Sequence, residues 1–148
     1  YAEAKTYIEE YLRHYGAVAG FMDRLIEEAK ACGYAKTLYG RRRPLPELRA
    51  SNGMTRSFGE RVARNMPIQG TAADIIKLAM IRVHKRLAEA GIPARMILQV
   101  HDELIVECPQ EIAPQVAALV RREMEQVASL KVPLTAEANY GKSWYEAK

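Results

Sequence analysis

The sequence predicts an α+β fold, in which amphipathic helices pack on a small antiparallel sheet. Long segments place apolar side chains at helical spacing, whereas residues 96–98 and 104–106 are short apolar runs that are typical of strands. The chain has 148 residues, of which 49% are apolar, and this is enough for one hydrophobic core. No repeat or linker divides the sequence, so we expect a single domain-sized fragment.

Two helices are predicted at the start of the chain, over residues 1–15 and 18–29, with Gly16 between them. Each places its apolar side chains on one face. Gly33 is the predicted left-handed stop of the second helix. The tyrosines of the first helix recur at helical spacing, and because such a stripe is more often core and rim than a base-stacking surface, we assign it no chemistry.

A basic hairpin is predicted next. Residues 34–39 and 45–48 form its two short strands, and Gly40 and the arginine triplet 41–43 lie at its turn. Pro44 before the second strand and Pro46 within it restrict its pairing to an edge.

The segment from Lys36 to Arg64 concentrates positive charge. It carries eight basic and two acidic residues, a local charge of +6, so that the rest of the chain sums to −2. Such a segment, with Arg41 and Arg56 as candidate contacts, is typical of phosphate binding in nucleic acids. A solvated charged face is the alternative.

Two further helices are predicted on either side of Pro67. Residues 57–66 form the first and residues 71–90 the second, which begins with capping-box spacing between Thr71 and Asp74. Because proline cannot donate to the helical ladder, the two pieces are expected to kink or separate there.

Arg61, Asn65 and Gln69 are spaced four residues apart, so a continuous or mildly kinked helix places them along one side. All three side chains offer planar donors. The minor groove of a duplex presents acceptors that scarcely distinguish one base pair from another, so this polar row could test pair geometry without reading sequence. Internal hydrogen bonding around Pro67 is the alternative.

Residues 99–106 place a histidine and two carboxylates between the strand-like runs. We expect an antiparallel hairpin joined at or beside His101 and Asp102, with Asp102 at its rigid tip. A carboxylate fixed there is suited to a divalent cation, because hard ions such as Mg²⁺ take oxygen ligands. The alternative is an ordinary turn aspartate beside a surface histidine ring.

A helix over residues 111–128 and a strand over residues 132–138 complete the predicted elements. No run is long and apolar enough for a membrane, and the start is not a signal peptide. Cys32 and Cys108 lack metal-type spacing, which argues against zinc and favours a reducing compartment. We expect a cytoplasmic protein and, from the mid-helix character of the first residues, a piece of a longer chain.

Three segments together resemble the C-terminal part of the polymerase domain of family A DNA polymerases, the family of bacterial DNA polymerase I. They are residues 37–43 (TLYGRRR), residues 60–74 (ERVARNMPIQGTAAD) and residues 99–104 (QVHDEL). The resemblance covers essentially the whole chain. It implies part of the palm and fingers of a right-hand polymerase, with fingers-side helices and the basic hairpin over about residues 1–70 and a palm portion over about residues 71–148.

The resemblance implies template-directed DNA synthesis, with nucleotidyl transfer from a dNTP to a primer 3′-hydroxyl by two Mg²⁺ ions. Asp102 matches the family's catalytic metal ligand. Glu103 matches its acidic neighbour with a supporting catalytic role, and His101 matches a residue beside the primer terminus. Arg61, Asn65 and Gln69 match contacts to the minor groove of the primer-template duplex.

The same resemblance implies an incomplete site. A two-ion site needs a second aspartate, and of the chain's three aspartates neither Asp23 nor Asp74 lies in the strand context expected of that ligand. The nucleotide-binding helix of the family is also outside these residues. We therefore expect the isolated chain to be inactive and to require the remainder of the polymerase chain, in a bacterial cytoplasm at the nucleoid.

Three other functions remain open from the sequence. A noncatalytic duplex-binding module would keep the basic segment without chemistry. A single-subunit RNA polymerase has a related palm with a His-Asp hairpin, and ribose choice would distinguish it. A structural α+β domain with a basic surface would show no Mg²⁺-dependent behaviour.

Overall fold

The structure is a computed structural model that describes residues 2–147, with the side chain of Ala2 excepted. The chain divides into two compact units, one ending at Thr71 and the other beginning at Ala72. Each unit combines helices with one two-stranded antiparallel sheet. The predicted α+β class is therefore confirmed, with two small sheets where the sequence suggested one.

Helices frame the first unit. Its elements are α1 (Ala2–His14), α2 (Gly16–Cys32), β1 (Tyr34–Lys36), β2 (Arg42–Pro44), a 3₁₀ turn (Pro46–Arg49) and the start of α3 (Gly53–Glu89). Gly33 ends α2 in the left-handed conformation, with φ of +80° and its N–H donated to the carbonyl of Ala29. The predicted glycine stop is confirmed.

The basic hairpin differs from its prediction in where the arginines lie. The turn spans residues 37–41, and the second strand begins at Arg42, which pairs with Lys36. Gly40 adopts a φ of +82°, which lets the chain reverse its direction at this residue. Arg42 and Arg43 therefore lie in the second strand and not in the turn. The predicted strand over residues 45–48 is a 3₁₀ turn instead, because Pro46 at its first position lacks the N–H that a strand partner would need.

The core of the first unit joins α2, the hairpin and α3. It consists of the buried residues Ile26, Ala29, Ala35, Leu45, Leu48 and Ala63. Two ion pairs connect α2 to α3 around it. Lys30 Nζ lies 3.2 Å from Glu60 Oε1, and Arg64 lies 3.5 Å from Asp23. The hydrogen bonds of Lys30 to Glu60 and Glu27 raise the pKa of its ammonium group.

Helix α3 is continuous from Gly53 to Glu89, with Pro67 inside it. Of the two outcomes predicted at Pro67, a kink or a separation, the separation is wrong. The predicted capping box is also wrong, since Thr71 and Asp74 lie in the helix interior. Burial explains the continuity. Ala63 is fully buried before Pro67, and buried residues follow it, so packing along the helix outweighs the roughly 3 kcal/mol that an interior proline costs.

The start of α3 is also earlier than predicted. Asn52 caps it, because its side-chain oxygen accepts hydrogen bonds from the N–H groups of Met54 at 2.8 Å and Thr55 at 3.1 Å. An asparagine five residues before the expected start was available as a signal in the sequence.

The second unit contains the rest of α3, β3 (Arg95–Val100), β4 (Glu103–Glu107), a 3₁₀ turn (Gln110–Ile112) and α4 (Ala113–Glu125). In the sheet, Val100 pairs with Glu103, which leaves His101 and Asp102 as a two-residue turn. The predicted hairpin and the position of Asp102 at its tip are confirmed. An irregularity between Met96 and Leu98 shifts the register of β3.

Helix α4 packs on α3 in the second unit around Val83, Leu87, Val116 and Val120. A buried carboxylate adds to this contact. Glu123 has 3% of its side chain exposed and forms ion pairs with Arg82 at 3.0 Å, Arg122 at 3.4 Å and Arg86 at 3.7 Å. The charge of Glu123 is thus compensated where it is removed from water.

The last part of the chain differs from its prediction. Helix α4 is shorter at both ends than residues 111–128, and residues 126–147 contain neither helix nor strand. The expected strand over residues 132–138 has no strand paired with it among the described residues, so its backbone lacks the ladder that defines a strand. No helix in the described part of the chain is long and apolar enough to cross a membrane.

Candidate metal-binding hairpin and nucleic-acid interface

Asp102 lies at the exposed tip of the β3–β4 hairpin. A two-residue turn requires unusual backbone angles, and His101 supplies them with φ of +52°, a conformation that histidine and aspartate tolerate better than most residues. The Gln99 side-chain amide donates to the carbonyl of His101 and braces the turn. The structure thus brings His101, Asp102 and Glu103 together, all three exposed.

The carboxylates of Asp102 and Glu103 are available for a ligand. Within the described residues, neither makes an ion pair or a side-chain hydrogen bond. An aspartate that served only to close the turn would use its carboxylate on nearby backbone N–H groups, and Asp102 does not. Its side chain is therefore exposed to solvent at the turn between two paired strands.

These carboxylates fit a metal site only in part. Across residues 2–147 the structure contains no cluster of three or more His, Cys, Asp or Glu side chains that could hold an ion. Asp23 is paired with Arg64, and Asp74 is buried in α3 with 5% exposure. Since Mg²⁺ commonly binds one or two carboxylates together with substrate phosphates and water, Asp102 fits as one contributor and not as a complete site.

The polar row of Arg61, Asn65 and Gln69 lies on one exposed side of α3 in the first unit. None of the three side chains is hydrogen-bonded within the described part of the chain, so internal hydrogen bonding around Pro67 does not account for them. The guanidinium of Arg61 lies 5.8 Å from the ring centroid of Phe58, one turn earlier, within the range of a cation–π contact. The donors of the row face solvent together.

The basic residues of the first unit are held to different degrees. Arg41 is exposed at the end of the hairpin turn. The guanidinium of Arg42 stacks over Tyr34 at 4.8 Å. Arg56 donates to the carbonyl of Ala50 at 3.1 Å, so it also braces the loop before α3.

Sequence reasoning missed two kinds of residue. Glu123 is a buried carboxylate paired with three partly exposed arginines, and helical spacing alone did not single it out. Gly70 and Thr71 contact the hairpin turn; a glycine inside a helical pattern indicates a packing contact but does not show which segment it meets.

The comparisons with known proteins decide the family. The profile of DNA polymerase family A matches residues 1–146. The chain belongs to DNA polymerase family A. The resemblance found in residues 37–43, 60–74 and 99–104 is thereby confirmed.

Several bacterial family A polymerases are similar over the whole chain. DNA polymerase I of Bacillus caldotenax is 49% identical over 146 residues, which is 99% of this chain and 17% of that protein. The thermostable DNA polymerase I of Thermus thermophilus is 49% identical over 148 residues, 100% of this chain and 18% of that protein. The chain thus spans less than a fifth of the length of these relatives.

A solved family A polymerase has the same fold over this segment. It is the POL domain of Pol1 from M. smegmatis in complex with DNA primer-template and dNTP, with a TM-score of 0.94 and 44% identity. The match covers 99% of this chain and 26% of that one. Family A DNA polymerases are nucleotidyltransferases that use divalent metal ions.

Proposed function

We propose that this chain is the segment of a family A DNA polymerase that supplies one catalytic metal ligand and part of the grip on the primer-template duplex. The parent polymerase, meaning the longer chain that contains these residues, would add nucleotides from dNTPs to a primer 3′-hydroxyl under direction of a template. The observation that carries the proposal is the exposed, unpaired Asp102 carboxylate at a two-residue turn, in a chain that matches the family along its length.

In this proposal the hairpin tip serves the chemistry. Asp102 would hold Mg²⁺, which when bound lowers the pKa of the attacking hydroxyl and neutralises charge on the transferred phosphate. Glu103, beside it at the first position of β4, would support the site electrostatically. His101 would lie near the primer terminus, where its ring can contact the sugar-phosphate backbone.

The first unit would hold the duplex. Arg61, Asn65 and Gln69 would donate to the minor-groove acceptors that all base pairs share, and so favour a properly paired primer end. Arg41 and Arg56 would contribute phosphate contacts, which give salt-sensitive affinity without sequence preference. The +6 charge of residues 36–64 supports this assignment.

We further propose that about residues 1–70 belong to the fingers side and about residues 71–148 to the palm. The relatives are bacterial enzymes, and a duplex DNA substrate implies action in the cytoplasm at the nucleoid. Completion of the metal site and of the dNTP pocket would fall to the remainder of the polymerase chain.

Primer extension tests the proposal. The parent polymerase, incubated with a labelled primer-template, Mg²⁺ and dNTPs, is expected to extend the primer by the templated nucleotides. Failure to extend with any divalent ion, despite tight duplex binding, would instead support a noncatalytic binding module. Preferential use of ribonucleotides would support an RNA polymerase, and both results would contradict the proposal.

The isolated chain provides a second arm of the same experiment. We expect no extension from the 148 residues alone, because the described residues supply one metal-binding carboxylate at the hairpin and no three-ligand cluster. Extension by the isolated chain would show that the site is more complete than proposed.

A further inference from the structure

The turn of the basic hairpin rests directly on α3. A Cβ added to Gly70 would lie 2.6 Å from Cγ2 of Thr37, closer than two such carbons can approach, so only glycine lets the helix and the turn meet at this distance. Thr37 is 3% exposed at this contact. The helix and the turn are therefore in direct van der Waals contact, with no room for a methyl group between them.

A hydrogen bond from the turn to the helix accompanies this packing. The N–H of Leu38 donates to the hydroxyl oxygen of Thr71 at 3.0 Å. The same hydroxyl donates to the carbonyl of Pro67, one turn earlier in α3. Because Thr71 uses its hydroxyl both as acceptor and as donor, its orientation is fixed by the helix, and the turn is held in a defined position.

Within the turn, Thr37 determines where Arg41 lies. The N–H of Thr37 donates to the carbonyl of Arg41 at 2.9 Å, and the N–H of Arg41 donates back to the hydroxyl of Thr37 at 3.1 Å. The N–H of Gly40 also donates to the carbonyl of Thr37 at 3.0 Å. Anchoring Thr37 and Leu38 to α3 thus anchors the backbone of Arg41.

We propose that Thr71 is a positioning residue for duplex binding, whose hydroxyl holds the turn 37–41 on α3 so that Arg41 and the polar row meet one duplex at a fixed spacing. The inference rests on the proposed function, since it concerns the same DNA surface. Gln69, the last residue of the row, lies two positions before Thr71 on the same helix. Holding both binding elements in place before the duplex arrives lowers the entropy cost of binding.

The experiment compares four variants of the parent polymerase. Thr71→Val removes the hydroxyl at nearly constant volume, and Thr71→Ser restores it. Thr55→Val is the matched control, because Thr55 is exposed on the same helix and its hydroxyl has no hydrogen-bond partner among the described residues. Arg41→Ala removes the side chain that the turn is proposed to position.

The quantity measured is the dissociation constant of a primer-template duplex across a series of salt concentrations. Thr71→Val is expected to weaken binding about three- to ten-fold, which corresponds to the loss of one hydrogen bond. The slope of log affinity against log salt concentration should also become shallower, by the amount that one lost phosphate contact accounts for. Thr71→Ser should recover both values, and Thr55→Val should change neither.

A double variant separates positioning from general stability. If Thr71 acts through Arg41, adding Thr71→Val to Arg41→Ala should cost little further affinity. Fully additive losses, or an affinity loss without a change in salt slope, would overturn the inference. Exchange of the Leu38 amide should become faster in Thr71→Val, and unchanged exchange would also overturn it.

The outcomes distinguish this inference from the proposed function. If the wild-type parent polymerase binds the duplex and Thr71→Val binds equally well, the positioning role is wrong and the proposed function stands. If the wild-type protein does not bind the duplex, both fail.

Discussion

Gly70 is a residue at which helix propensity and packing have opposite effects. In an exposed helix interior, replacing glycine by alanine stabilises a protein by about 0.5–1 kcal/mol. At Gly70 the added methyl group would collide with Thr37 and with Sδ of Met66, both within 2.7 Å. The collision with Met66 is relieved by rotating a flexible side chain, but Thr37 is buried and cannot move away.

We therefore predict that Gly70→Ala lowers the free energy of unfolding by about 1–3 kcal/mol, the usual cost of overpacking. Gly20→Ala is the matched control, because a methyl group there would lie 3.6 Å from the guanidinium of Arg24, an ordinary contact. Gly20→Ala should leave stability unchanged or raise it slightly. Calorimetric unfolding of the parent polymerase measures both, and an equal gain in the two variants would refute the close contact.

Gln69 carries the second prediction at this scale. Its exposed amide is proposed to contact the minor groove, where a mispair misplaces the acceptors. We expect Gln69→Ala to weaken duplex binding about two- to ten-fold, the value of one hydrogen bond, and to reduce discrimination against a mispaired primer end. Extension of matched and mismatched primers measures the second effect.

Gln115→Ala is the control for that prediction, since Gln115 is an exposed amide on α4. The control should extend both primers as the wild-type protein does. If Gln69→Ala also leaves mismatch extension unchanged, the role assigned to the polar row is wrong.

At the scale of elements, the irregular segment after α4 is attached through Glu125. The carboxylate of Glu125 accepts a hydrogen bond from the Ala136 N–H at 3.2 Å and pairs with Arg121 at 3.1 Å. These two interactions lower the pKa of Glu125, the hydrogen bond from Ala136 more than that of Arg121. The ionised form is thus the one that holds the segment.

The lowered pKa predicts how this attachment depends on pH. A group whose pKa is depressed by folding adds stability above its unfolded pKa, about 4.3 for glutamate, and loses it as the pH falls through the folded value. We expect exchange of the Ala136 amide, corrected for its intrinsic pH dependence, to become faster as the pH falls below the ordinary pKa of glutamate and the Glu125 carboxylate is protonated. In Glu125→Gln this pH dependence should disappear, and its persistence would assign the effect to another group.

Elements also show which parts of the fold a sequence predicts well. The β3–β4 hairpin depends on neighbouring residues, two short apolar runs and a two-residue polar turn, and it was predicted correctly. The continuity of α3 depends on Ala63 before Pro67 and on Val83 and Leu87 after it, which pack against parts of the chain distant in sequence. The known effect of proline on a helix depends only on the neighbouring turn, so it could not predict that packing elsewhere keeps α3 continuous.

At the scale of the whole molecule, the same distinction applies to the candidate site. The placement of Asp102, Glu103 and the polar row was predictable, because each set lies within a single hairpin or helix. The contacts of Gly70 with Thr37 and of Thr71 with Leu38 were not predictable, since each joins residues more than 30 positions apart. The segment 132–138 was predicted as a strand from composition, but a strand also needs a paired neighbour, and the described residues provide none.

The two units of the chain carry different parts of the proposed activity. The unit ending at Thr71 contains the basic hairpin and the polar row, and the unit beginning at Ala72 contains the Asp102 hairpin. Removal of the Asp102 carboxylate from the second unit should therefore affect catalysis and leave duplex binding intact. Metal ligation acts mainly on the transition state, whereas duplex binding stabilises the ground state as well.

The most direct measurement is made on Asp102→Ala in the parent polymerase, with single-nucleotide turnover and the dissociation constant of the primer-template duplex determined on the same preparation. Asp23→Ala, which removes an exposed carboxylate from α2, is the control and should keep both values near those of the wild-type protein. We predict that Asp102→Ala abolishes turnover and changes the dissociation constant by less than about three-fold, within 1 kcal/mol. Retained turnover, or a loss of duplex affinity as large as the loss of turnover, would contradict the assignment of Asp102 as the metal ligand.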